Sequence, residues 1–141
     1  MFSKILVSVD GSDNSFRALD QAMFLAKTTG AGLTAMHVIE SPPTVYVESQ
    51  KLLNDLLAKY RAESVKVLDK CKQMANKSGV SLETLITEGD PASNITGYAF
   101  KEGFDLIVIG SRGLGMFKEM MLGSVSNKVL HHARCSVLIA K

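Results

Sequence analysis

Leu106-Ile-Val-Ile109 runs directly into Gly110-Ser-Arg-Gly113-Leu-Gly-Met-Phe-Lys-Glu-Met-Met-Leu-Gly123-Ser124, and this stretch decides how the rest of the chain is read. A short, unbroken apolar run bounded by glycine marks a strand buried on both faces. Ser124 to Leu130 then reads as a helix. Glycines at such a junction let the backbone come close to a ligand, and a helix start offers unpaired N–H groups to an anion. The arrangement is that of a phosphate cradle at the carboxyl end of a parallel strand. It points to nucleotide binding.

Working outward, strands and helices alternate. Ile5-Leu-Val-Ser-Val9 is an apolar run that ends at the turn Asp10-Gly11. The capping types Ser12, Asp13, Asn14 and Ser15 precede Phe16, Leu19, Ala22, Met23 and Ala26 at helical spacing, and Gly30 and Gly32 close that helix. Leu33 to Ile39 is a second strand, and Ser41-Pro42-Pro43 predicts a loop. From about Glu48 to Ser78 the apolar residues fall on one face of a long helix, stopped by Gly79. Val80 to Thr87 is expected as the third strand. Asp90-Pro91 starts a helix that carries Ile95, Tyr98 and Ala99 inward and stops near Gly103. Leu106 to Ile109 and Val137 to Ala140 are strands four and five.

Such alternation predicts one α/β domain over residues 1–141, an open parallel sheet with four helices on both faces. Ligands in such sheets sit beyond the carboxyl ends of the strands, where the winding reverses. If strands one and four are neighbours, the Asp10 turn and the Gly110 loop face each other across one crevice. The chain's 46% hydrophobic and 21% charged residues fit a soluble globular protein, and a formal net charge of +2 gives no case for nucleic acid or an anionic membrane. No apolar stretch approaches a membrane span, and the N-terminus lacks the pattern of a signal peptide. Cys71 and Cys135 form no Cys-x-x-Cys motif, so a reduced, cytoplasmic protein is expected, with one disulfide left open.

The glycine loop matches neither a P-loop nor the Rossmann fingerprint. What remains, Gly110-x2-Gly113-x9-Gly123-Ser124, resembles the motif of ATP-binding universal stress proteins. The resemblance extends over essentially the whole chain, through Ile5-Leu-Val-Ser-Val-Asp-Gly-Ser12, His37-Val38, Glu88-Gly-Asp-Pro91 and Cys135-Ser-Val-Leu-Ile139. It implies a five-stranded sheet of order 3-2-1-4-5, similar to the adenine-nucleotide α-hydrolases, and ATP, or ADP or AMP, as ligand. By the same resemblance Asp10 would approach the ribose or, through a nucleotide-bound Mg2+ or Mn2+, the phosphates. Val38 would contact adenine through its backbone. Gly110 and Gly113 would lie along the ribose and phosphates, and Gly123 and Ser124 would hold the outer phosphates. Arg112, Val125 and Ser126 complete the expected binding set, Ser126 through its hydroxyl. Ser8 departs from the family pattern, where relatives often carry proline.

Each of these residues also has a plainer reading. Glycines between strand and helix are often turn residues, and Asp10-Gly11-Ser12 serves equally as a turn and helix cap. Asp90 is explained fully as a cap before Pro91. Arg112 and Lys118 offer charge to phosphates or to solvent. His37, His131 and His132 lack further ligands at metal-site spacing, and the His pair suits a helix C-terminus. Met116, Met120 and Met121 flank the loop, where they would cover a nucleotide or lie partly exposed. The leading expectation is a nucleotide-dependent regulatory homodimer, paired through Val137–Ala140, with an unidentified protein partner left open. A slow ATP hydrolase or phosphotransferase is the alternative in the enzyme class, disfavoured by the lack of a general base or Walker-type lysine. A ligand-free dimeric interaction protein is the other. A phospho-acceptor receiver domain is excluded, because Asp10 has no acidic neighbour and the third strand ends Glu88-Gly89.

Overall fold

The computed structural model describes residues 1–41, 49–113 and 122–141. In chain order the elements are β1 (Lys4–Ser8), α1 (Asp13–Thr29), β2 (Gly32–Ile39), α2 (Gln50–Ser78), β3 (Glu83–Glu88), α3 (Pro91–Lys101), β4 (Leu106–Gly110), α4 (Ser124–His132) and β5 (Ser136–Ala140). The five strands form one parallel sheet of order β3-β2-β1-β4-β5, as expected. The expected loop residues Pro42 and Pro43, and Glu48 at the start of the long helix, lie outside the described residues.

Period-two alternation in the strands feeds two cores. Ile5, Val7, Leu33, Ala35 and Val108 pack with Leu19, Ala22 and Met23 of α1 and Leu68, Cys71 and Ala75 of α2. Leu6, Met36, Ile107 and Ile109 pack with Ala92, Ile95 and Ala99 of α3 and Val129 of α4. A strand covered on both faces has no solvent side, which is why β1 and β4 read as continuous apolar runs. Fully burying one such aliphatic side chain contributes about 1.5–3 kcal/mol. The two cysteines belong to opposite layers, Cys71 to the α1–α2 core and Cys135 beside the α3–α4 core, and both are free thiols. That settles the disulfide left open by the sequence.

β3 starts later than its apolar pattern predicts. Gly79 ends α2 in the left-handed conformation, at φ +68°, and the Val80 N–H donates to the Ala75 carbonyl at 3.0 Å. Val80 is thereby held in the C-terminal cap of α2, and pairing begins only at Glu83. Among the described residues, no helix is long and apolar enough to cross a membrane.

Candidate nucleotide-binding crevice

The winding reverses between β1 and β4, which pair directly, Ser8 opposite Ile109. The turns that leave these two strands therefore diverge to opposite faces and open a crevice at their carboxyl ends. A cavity of 330 Å³ occupies it, within the roughly 300–1,000 Å³ usual for small-molecule sites. Asp10, Val38, Gly110, Arg112, Gly113, Gly123, Ser124, Val125 and Ser126, separated by up to most of the chain, all line this one cavity. Lys118 and the loop methionines Met116, Met120 and Met121 lie outside the described residues.

Asp10 is both a turn residue and a wall of the crevice. Its Oδ1 accepts a hydrogen bond from the Ser12 N–H at 2.9 Å, and Ser12 in turn caps α1 by accepting from the Ser15 N–H at 3.2 Å. A Cβ at Gly113 would collide with Oδ2 of Asp10, so the β4 loop lies directly against this carboxylate. Gly110 is needed for a different contact. A Cβ there would lie 2.9 Å from the Asn14 carbonyl carbon and 3.0 Å from its oxygen, inside the first turn of α1. Its glycine thus serves helix packing as well as lining the cavity.

The start of α4 is open. α1, α2 and α3 each have a side-chain cap, from Ser12, Ser49 and Asp90, whereas α4 has Gly123 and no side-chain cap bond. Its ladder begins only with the Asn127 N–H on the Gly123 carbonyl, at 2.9 Å. The N–H groups of Ser124, Val125 and Ser126 are the orphan donors every helix start carries, and here they border the cavity. With the positive end of the helix dipole, they suit an anion. Ser124 is exposed, but Ser126 is buried and its hydroxyl points elsewhere than expected. That hydroxyl donates toward the carbonyls of Ser111, at 3.0 Å, and Gly123, at 3.1 Å. Its one hydrogen is committed, so in this arrangement Ser126 does not offer it to a phosphate.

Several groups outside the expected binding set also line the cavity. Ser8 and Glu40 line the cavity, as does His37, whose Nδ1 is buried with no hydrogen-bond partner. Burial pushes the His37 imidazole below its ordinary 6.5, against the opposing pull of the Asp10 carboxylate. The signal for His37 was its place one residue before Val38. His132, by contrast, closes onto its own helix through Nδ1 and the Lys128 carbonyl at 2.8 Å, as a C-terminal histidine should. Among the described residues no group of three or more histidine, cysteine or acidic side chains could hold a metal.

The fold and crevice together define a class: an open parallel α/β protein with an anion-receptive helix start at its topological switch point. Its relatives narrow this further. The sequence model of the "Universal stress protein family" matches residues 1–141. Universal stress protein YxiE of Bacillus subtilis is 40% identical, with all of both chains covered. Among solved structures, universal stress protein UspA from Lactobacillus plantarum superposes with a TM-score of 0.90 at 29% identity, over 99% of this chain and 98% of that one. A universal stress protein in complex with cAMP superposes at 0.77 with 27% identity, over 99% and 97%. This chain belongs to the universal stress protein family.

Proposed function

We propose that this protein is a regulatory adenine-nucleotide sensor that binds ATP, with ADP or AMP as competitors, in the crevice between the Asp10 turn and the start of α4. The observation that carries the reading is the uncapped start of α4 beside Asp10 and Gly113. The family relative solved with cAMP supports the choice of an adenine nucleotide. The base would rest by Val38, the ribose by Asp10 and Gly110, and the phosphates on the N–H groups of Ser124 to Ser126, with Arg112 adding charge. Mg2+ or Mn2+ would accompany the nucleotide. A cytoplasmic location is in keeping with the two free thiols.

Occupancy rather than turnover would carry the signal, because phosphoryl transfer needs a positioned nucleophile and charge at the transition state, and the described cavity offers ground-state donors. Calorimetric titration with ATP and magnesium tests the site. Wild type should bind, Gly113→Val should not, and Ser124→Ala should lose a charge-assisted bond worth ~1.5–3 kcal/mol, roughly 10- to 150-fold. Equal affinity in wild type and Gly113→Val would refute the placement. Phosphate release within the usual ~1–1000 per second, abolished by Asp10→Ala, would make the protein an enzyme instead.

The reading includes a homodimer through β5. This strand is a sheet edge whose Val137, Leu138 and Ile139 are only partly buried. Beside it a groove of 570 Å³ is lined by Phe24, Leu25 and Leu138, and Phe24 is 70% exposed. Unpaired edges of this kind are normally covered, and a two-fold-related copy covers them symmetrically. Sedimentation should give a dimer at micromolar concentration that Leu138→Pro disrupts without unfolding.

A further inference from the structure

We infer that the Ser126 hydroxyl is a positioning group, an internal pin that holds the start of α4 in its anion-receptive orientation, rather than a ligand contact itself. The inference rests on the reading of this crevice as a phosphate site. Four hydrogen bonds converge on Ser111, which is 3% exposed. Its N–H donates to the Ala140 carbonyl at 2.7 Å, which fixes it to β5. Its carbonyl accepts from the Gly123 N–H at 2.6 Å and from the Ser126 hydroxyl at 3.0 Å. Its own hydroxyl lies 3.4 Å from Nδ2 of Asn14, a long contact to α1. The sheet's last bond and the first turn of α4 are thus joined through one residue.

Within this junction the Ser126 hydroxyl bridges the Ser111 carbonyl on the β4 side and the Gly123 carbonyl on the α4 side. It therefore sets the angle between the strand end and the helix start. The N–H groups of Ser124, Val125 and Ser126 are aimed by that angle, and donors misplaced by a fraction of an ångström lose much of a charge-assisted bond. Removing the hydroxyl should not unfold the protein. The Ser111 carbonyl keeps the Gly123 N–H, and the Gly123 carbonyl keeps the Asn127 N–H. What is lost is restraint.

Amide hydrogen exchange of the nucleotide-free protein, read by NMR at Gly123, tests the pin without any ligand. Ser126→Ala should speed exchange by about fivefold, the loss of a ~1 kcal/mol hydrogen bond, and Ser126→Thr should restore it. Ser124→Ala should leave it at the wild-type rate. Titrations of the same proteins with adenosine and ATP test the consequence. Ser126→Ala should weaken ATP by up to about fivefold, the same ~1 kcal/mol of lost restraint, change adenosine less than twofold, and be rescued by Ser126→Thr. Unchanged Gly123 exchange in Ser126→Ala overturns the pin. Faster exchange with wild-type ATP affinity overturns the positioning role, as does an equal loss for adenosine and ATP. A wild type that binds adenosine and ATP alike refutes the phosphate-site reading itself, and is told apart from these by involving no variant.

Discussion

α3 and α4 pack side by side on the same face of the sheet, yet their amino ends are built oppositely. α3 is closed. Asp90 accepts from the Ser93 N–H at 3.0 Å, Pro91 removes a donor that would otherwise need a partner, and Asn94 returns its amide to the Asp90 carbonyl at 2.9 Å. The bonds from Ser93 hold the Asp90 carboxyl below the usual carboxylate range. α4 is open, with glycine where a cap would stand and its first three residues lining a cavity. The difference teaches that a helix start is a structural feature when its own sequence satisfies it, and a candidate binding feature when it does not.

Changing one end into the other gives the largest expected effect. Gly123→Asp would cap α4 and place a negative charge among its donors. ATP affinity should fall at least about 100-fold, near 2.7 kcal/mol, while the melting temperature holds or rises. An unchanged titration would erase the functional contrast between the two helices. Next in size is the support beneath the open end. Gly110→Ala drives a methyl into the first turn of α1, and overpacking of this kind costs about 1–3 kcal/mol. Denaturant melts should show that loss, and a neutral result would mean that α1 yields freely.

The closed end should respond in stability alone. Asp90→Ala should lower the melting temperature and leave ATP titration untouched, and any loss of affinity would show that α3 shares in binding. The smallest effect concerns pH. His37 has a folded pKa below 6.5, so its native environment rejects a proton that the unfolded chain accepts. Its contribution is complete above 6.5 and is lost as pH falls from there through the folded value. Urea melts at pH 7.5 and 5.5 should show a larger acid loss in wild type than in His37→Gln.

Much of this contrast is legible in the chain. Asp90-Pro91 announces a closed start, and Gly123-Ser124 after a glycine-bounded strand announces an open one. The strand order came from resemblance, since alternation fixes the layers but not which strands are neighbours. The role of Ser126 was not legible. Whether a hydroxyl in a first helical turn faces ligand or protein depends on where Ser111 lies, and that is set by β4–β5 pairing far from it in sequence. The late start of β3 was hidden for a similar reason, because Val80 looks like a strand residue until its N–H is seen closing α2. Gly110 looked like a ligand-facing glycine, and only the structure reveals the α1 backbone against it.

The most direct test is an amide-resolved NMR titration of the uniformly labelled protein with ATP and magnesium, comparing the two helix starts in one experiment. Large, saturable shifts are expected at Ser124, Val125 and Ser126, with Gly113 moving alongside them, and little change at Ala92 and Ser93. Shifts centred on α3, or none at the start of α4 at saturating nucleotide, would contradict this site.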